Sequence, residues 1–294
     1  MALLAVTPYL RRHRRLVEDL LFQHYRTHTH LDWQSTEGWL DSFNSPMWLA
    51  WQGERLIGLM AASEPVEGMC WIRLLAVHDE VLFPQQALSE MWLPLANELA
   101  RMGVRRVALL MMRDWVKPFL PALGFQYDEH IITMFRGGHH APSIIPNANV
   151  AIQSVTSMEL AALVEIDHAA FTAMWRMTKH DMREAWRISA VTTLALRDDK
   201  PVGYQLSTQT QDAAHLARLA VKPEMQGQGI GAALLADALI RFARRNIHSM
   251  TVNTQSRNLS SQHLYTRFSF VRNGFDLPVY FADLPMSSAH SAAD

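Results

Sequence analysis

Three glycines in five residues, Gly227, Gly229 and Gly231, separate an apolar strand-like run, Ala214–Val221, from a helical run that continues Ala232-Ala233-Leu234-Leu235. Glycine lets the backbone take positive φ and lets a ligand come close to it. The first turn of a helix presents unpaired N–H groups and the positive end of the helix dipole. A glycine turn leading into such a helix is therefore a site for a phosphate group. It is not a P-loop, since no Gly-Lys-Ser/Thr follows, and its glycines are too evenly spaced for a dinucleotide fingerprint. Some thirty residues on, Asn258-Leu-Ser-Ser-Gln-His-Leu-Tyr265 reads as a second helix carrying a phenol. His215 lies six residues before Val221, on the strand that feeds the turn. A phenol can give a proton and a neutral imidazole can take one.

In this order and spacing the chain resembles the GCN5-related N-acetyltransferase family. There, Gln/Arg-x-x-Gly-x-Gly/Ala wraps the pyrophosphate of acetyl-CoA, matched here by Gln226, Gly229 and Gly231, with Gly227, Gln228 and Ile230 between. The family's later helix is matched by Asn258, Ser261, Leu264 and Tyr265, while Ser269 stands where the family has Gly. The resemblance implies acetyl-CoA as co-substrate, held by Gln226–Gly231, Asn258, Ser261 and the backbone of Leu219, Ala220 and Val221. It further implies a bulge that splays this strand from its neighbour, and a backbone N–H near Leu219 or Ala220 that steadies the reacting carbonyl.

Tyr265 is the expected general acid; the alternative is a phenol packed on the sheet. For the base, His215 stands where some members carry a Glu, with Glu165, Asp167 and His168 as weaker candidates on the first helix of that half. Phe171, Trp175 and Arg176 are the expected acceptor contacts, against the alternative that the two rings merely cover the sheet. The implied reaction moves the acetyl group of acetyl-CoA to a primary amine of a small molecule or peptide by direct attack. A non-catalytic acyl-CoA-binding or sensing module is the alternative. Ser269 and the undefined base favour it, and Tyr265 opposes it.

The chain also repeats itself. The landmark pairs Gly58/Gly203, Val77/Val221 and Phe125/Phe270 are 145, 144 and 145 residues apart. A constant offset indicates a tandem of two similar domains. Residues 1–136 form the first, 137–149 a Gly/Pro/Asn-rich linker, 150–285 the second, and 286–294 a flexible tail. Strands and helices alternate in each half, an α/β pattern around a mixed sheet. The resemblance implies two tandem acetyltransferase-type domains, each a mostly antiparallel sheet flanked by helices. The first keeps the scaffold without the equipment. His78–Leu88 holds no glycine, Asp79 and Glu80 would repel a pyrophosphate, and Leu120 stands at the place of Tyr265. Such a domain could cover the cleft or shape the acceptor pocket.

Bulk properties exclude several partners. Of 294 residues 49% are hydrophobic, and 27 Lys+Arg balance 28 Asp+Glu, so no electrostatic footprint for nucleic acid appears. No run approaches the roughly eighteen apolar residues of a membrane span, and Glu18 and Asp19 interrupt the apolar residues after the basic run at Arg11–Arg15, so no signal-peptide core follows. The single cysteine, Cys70, excludes an internal disulfide and fits a reducing cytoplasm. His24, His28 and His30 have no carboxylate or Cys at ligand spacing, so they read as surface histidines and no metal is expected.

Overall fold

The computed structural model of the chain describes residues 4–41, 45–138 and 149–285. Most of the 137–149 linker and the whole 286–294 tail lie outside the described residues. The chain divides into two compact units, Met1–Glu129 with Leu277–Asp294, and His130–Asp276.

The first unit contains β1 (Leu4–Pro8), α1 (Arg14–Gln23), β2 (Thr27–Thr29), α2 (Thr36–Leu40), β3 (Met47–Gln52) and β4 (Arg55–Ala62). It continues with β5 (Met69–Val77), α3 (Pro84–Arg101), β6 (Arg106–Leu110) and the start of β7 (Gln126–Arg136). The second unit takes up the rest of β7, then β8 (Ala151–Ser154), α4 (Leu160–Ala170), α5 (Lys179–Ile188), β9 (Val191–Arg197) and β10 (Lys200–Gln209). It ends with β11 (Ala213–Val221), α6 (Ile230–Ala243), β12 (Ser249–Gln255), α7 (Leu259–Arg267) and β13 (Val271–Arg272). β14 (Leu277–Asp283) belongs to the first unit again.

The two sheets share one plan. The strand order is β1-β3-β4-β5-β6-β14 in the first unit and β8-β9-β10-β11-β12-β7 in the second. Neighbours are antiparallel except β5/β6 and β11/β12, which are parallel. The registers coincide as well: Gly58 faces Val77 and Gly203 faces Val221, and each pair continues in step to Ala61/Leu74 and Leu206/Arg218. Both then slip by one, which leaves Arg73 and Ala217 as the extra residues of two β-bulges.

The halves exchange their last strands. Residues Ile131–Arg136 of β7 pair with β12, whereas β14 pairs with β6. The sequence reading placed 278–284 in the sheet of its own half. The two strands fill equivalent positions beside β6 and β12, so the local pattern of neither says which copy it completes.

Apolar spacing makes the helices. In α3, with Pro84 at its first turn, Leu88, Met91, Leu95 and Leu99 form one stripe that packs on Ile72, Leu75 and Leu109. In α6, Leu235, Leu239 and Phe242 pack on Leu216, Met250 and Val252. The helical turn before α4 is capped by Thr156. Met158 N donates to Thr156 Oγ1 at 3.3 Å, and Thr156 N donates to Glu159 Oε2 at 2.8 Å. A Glu at the third helical position completes that capping box.

The close of α7 has a counterpart in the first unit. Phe270 N donates to Tyr265 O and Phe125 N to Leu120 O, both at 3.0 Å. The residue before each Phe is left-handed: Gly124 at φ 80° and Ser269 at φ 64°. A Cβ in that conformation costs about 1 kcal/mol. Ser269→Gly is therefore expected to raise stability by about 1 kcal/mol in chemical denaturation. An unchanged or lower midpoint would show that the serine is not strained.

Candidate active site

β11 pairs with β12 only from Ala213/Ser249 to Leu216/Val252. Past the bulge, Arg218–Val221 keeps its partners on β10. Among the described residues no strand pairs with its other edge. An open strand edge presents N–H and C=O groups that need partners.

That edge runs into the glycine turn. After a helical turn at Pro223–Met225, Gly227 (φ 73°) and Gly229 (φ 79°) are left-handed, and Gly229 is the N-cap of α6. Ala233 N bonds to Gly229 O at 3.0 Å, so the N–H groups of Ile230, Gly231 and Ala232 precede the helix's own ladder. A Cβ on Gly227 would meet open space, so φ and not crowding requires glycine there. Gly231 is different. It is already helical, and a Cβ would come no closer than 3.4 Å, to Leu264.

The glutamines hold the turn with their side chains. Gln226 Nε2 donates to Val221 O at 3.0 Å and Gln228 Nε2 to Glu224 O at 3.2 Å, while Arg197 donates to Gln228 Oε1. Asn258 caps α7, its Oδ1 accepting from Ser261 N at 3.1 Å. These residues shape the backbone, which leaves main-chain N–H groups as the anion donors.

Tyr265 is buried beside Phe270, ring centroids 5.8 Å apart. Burial pushes its pKa well above that of an ordinary phenol, and a bond with Ser261 opposes that rise. Its phenol stays protonated at any working pH. His215 Nδ1 lies 2.8 Å from Thr251 Oγ1, where β11 is still paired with β12. Burial holds the imidazole below its usual pKa, which favours the neutral form.

Alternate residues of a strand share a face. Tyr204, Leu206 and Thr208 therefore share one with their partners Ala220, Arg218 and His215. On that face α4 contributes Asp167, which is fully buried and saturated. Its Oδ1 accepts from Met177 N at 2.9 Å; its Oδ2 accepts from Tyr204 OH and Arg218 Nε, both at 2.7 Å. Both carboxylate oxygens of Asp167 are thus engaged in holding the structure. Glu165 is ion-paired with Lys222 at 2.6 Å, and His168 Nε2 donates to Met177 O at 2.9 Å.

The expected acceptor residues converge on the same cluster. The Arg218 guanidinium lies 3.7 Å over the Phe171 ring and also donates to Trp175 O. Arg176 Nε donates to Phe171 O at 2.9 Å. The sequence reading missed Tyr204 and Arg218. A signal was present in β11, where Arg218 is the one charged residue inside an apolar run.

The first unit treats the same edge differently. β2 pairs with Leu74–Ala76, the residues equivalent to Arg218–Ala220. Val77 N donates to Arg26 O, His30 N to Arg73 O, and Trp115 Nε1 to Thr27 O, each at 2.9 Å. Asp79 accepts from Tyr25 N at 3.0 Å and Arg26 N at 3.1 Å, so its charge caps this segment. The surface reading of the histidines fails here. His28 is fully buried in β2 and burial depresses its pKa to about 3; His24 and His30 are half-buried. β2 faces the core because Leu75 beside it does. Among the described residues no group of His, Cys, Asp and Glu could hold a metal ion. No described helix is long and apolar enough to cross a membrane.

Two bulged sheets of one topology, one with an open central strand entering an anion-binding helix, define a tandem acyltransferase-type fold. Residues 160–270 match the Acetyltransferase (GNAT) family, and the fold of the whole chain is that of tandem GNAT proteins. A tandem GNAT protein from the clavulanic acid biosynthesis pathway has a similar fold: TM-score 0.65 at 13% identity, over 97% of this chain and 100% of that one. A GCN5-related N-acetyltransferase from Sphaerobacter thermophilus gives 0.58 at 15% identity, over 96% of each chain. A probable N-acyltransferase from Enterococcus faecalis gives 0.73 at 11%, over 97% of this chain and 74% of that one. At such identities the likeness is one of fold. No curated protein sequence matches the chain. The family generally uses acyl-CoA. The N–H cluster of α6 fits a diphosphate and the open edge fits a chain of amides.

One acetyl-CoA is expected per chain, and Gly229→Asp is expected to abolish its binding, by forcing a side chain into a left-handed turn and adding like charge. Calorimetry checks both. A stoichiometry near two, or undiminished binding in the variant, would assign the site elsewhere.

Proposed function

We propose that the second unit is an N-acetyltransferase that moves the acetyl group of acetyl-CoA to a primary amine of a small-molecule or peptide acceptor by direct attack. The observation that carries this reading is the open edge of Arg218–Val221, which leads through the Pro223–Met225 turn and the glycine turn into the start of α6. Acetyl-CoA, when bound, supplies a thioester carbonyl that an amine can attack.

The chain's own residues do the rest. The N–H groups of Gly227 to Gly231 hold the diphosphate, with Gln226, Gln228, Asn258 and Ser261 fixing the backbone that carries them. Leu219, Ala220 and Val221 offer main-chain partners along the strand, and a backbone N–H near Leu219 or Ala220 stabilises developing negative charge on the carbonyl oxygen. His215, kept neutral by burial, takes the ammonium proton directly or through water. Tyr265, kept protonated by burial, gives its proton to the departing sulfur. Phe171, Trp175 and Arg176 line the acceptor side. Cys70, buried as a free thiol, is compatible with a reducing cytoplasm, where we place the protein.

Two variants test the proton carriers. Tyr265→Phe is expected to lower kcat by about 10²-fold or more at unchanged acetyl-CoA affinity, as for a group that acts in the transition state. Normal turnover in that variant would remove Tyr265 from the mechanism. The rate should fall as pH drops through the pKa of a base that must be neutral. Because burial lowers that pKa, the acid limb of the wild type should lie below about pH 6.5. His215→Ala should shift or flatten that limb, whereas a profile unchanged in shape and height makes His215 a bystander. Acetyl-CoA binding without thiol release on any amine of a broad panel would favour the acyl-CoA-sensing alternative.

A further inference from the structure

We propose that the buried Asp167–Tyr204–Arg218 cluster positions the acceptor wall Phe171–Met177, and so sets the affinity for the amine and not for acyl-CoA. The inference rests on the acyltransferase reading of the second unit.

The segment between α4 and α5 has one short helical turn, Ala173–Trp175. Its backbone is held from α4 and β11. Asp167 Oδ1 accepts from Met177 N, Arg218 donates to Trp175 O, and His168 Nε2 donates to Met177 O. Arg218 adds its flat face to Phe171 at 3.7 Å. A guanidinium can stack, pair with a carboxylate and donate to a carbonyl at once, which an ammonium cannot. Arg218 is also the first residue after the bulge at Ala217, where β11 leaves β12. One side chain thereby ties the acceptor segment to the start of the open edge.

The fold does not need this cluster. Burying an ion pair carries a desolvation penalty, and a well-packed apolar replacement is often as stable or more so. The sister repeat makes that replacement. Leu74 and Leu59 hold the places of Arg218 and Tyr204 in the same register, both fully buried against Val17 and Leu20 of α1. The charged version is therefore retained in the second unit for what it holds in place. It also lies across the sheet from the phosphate turn. A Cβ on Gly203, whose side of the strand alternates with that of Tyr204, would meet Val221 at 3.2 Å and Ile230, the first residue of α6, at 3.3 Å. Loosening the cluster should therefore leave the acyl-CoA side in place.

The test compares wild type with the double variant Asp167→Leu/Arg218→Leu, which leaves no orphaned charge, and with Arg218→Lys. Acetyl-CoA affinity is measured by calorimetry, and kcat and KM with the best amine from a panel. Hydrogen exchange follows residues 171–178. The expected result for the double variant is an acceptor KM raised about tenfold or more, with kcat within about threefold and acetyl-CoA affinity unchanged. Faster exchange at 171–178 should accompany it. An unchanged acceptor KM, or equal losses in acceptor and acetyl-CoA affinity, would overturn the proposal and make the cluster plain core. Should the double variant fail to fold, Arg218→Lys decides by the same criteria: a raised acceptor KM alone supports the proposal, an unchanged one overturns it. If the wild type binds acetyl-CoA but turns over no amine, the acyltransferase reading fails and this proposal falls with it. If the wild type is active and both variants keep their KM, this proposal alone fails.

Discussion

A hydrogen-bonded sheet ordinarily satisfies both edges of its central strands, and the second unit depends on one place where it does not. β11 pairs with β12 as far as Leu216, takes one extra residue at Ala217, and then continues bound to β10 alone. A bulge adds local twist and re-aims the residues after it. From that point Arg218 meets the segment between α4 and α5, Leu219–Val221 offers main-chain groups, and the strand delivers the chain to Gly227 and Gly229 at the start of α6. Moving the slip by one residue would exchange the faces of Arg218 and Leu219, placing a charge against the apolar packing of α6.

The first unit shows that the bulge alone is not sufficient. Its central strand slips at the equivalent residue, Arg73, and keeps the same register with its antiparallel neighbour. What differs is a three-residue strand, Thr27–Thr29, laid on the edge that the second unit leaves open. Asp79, Trp115 and the main chain of Val77 fix the start of that segment, and the bond from His30 N to Arg73 O fixes its end. The carboxylate that would repel a diphosphate is used to cap backbone N–H groups. In the first unit the absence of a glycine turn and the closure of the edge thus occur together.

Much of this was legible in the sequence because it depends on local chemistry. The glycine turn and the offset between repeats follow from residue types at fixed spacing. The expected bulge before Val221 falls at Ala217. What the sequence could not give depends on partners distant in the chain. β2 is too short for a periodic signal, and its histidines look like surface residues until Leu75 is seen beside His28. The exchange of β7 and β14 is invisible because the two strands fill equivalent places. Asp167 was read as a possible base on its residue type. Only the convergence of Tyr204, Arg218 and Met177 N on its two oxygens shows both engaged in holding the structure.

If the open edge of β11 receives acyl-CoA while its twin on β5 is filled by the chain itself, amide hydrogen exchange of the intact protein with and without acetyl-CoA separates the two most directly. Slower exchange is expected at residues 218–221 and 226–232 when acetyl-CoA is present, with no change at 74–77 or 78–88. Protection appearing at 74–77, or absent from 226–232, would contradict that assignment.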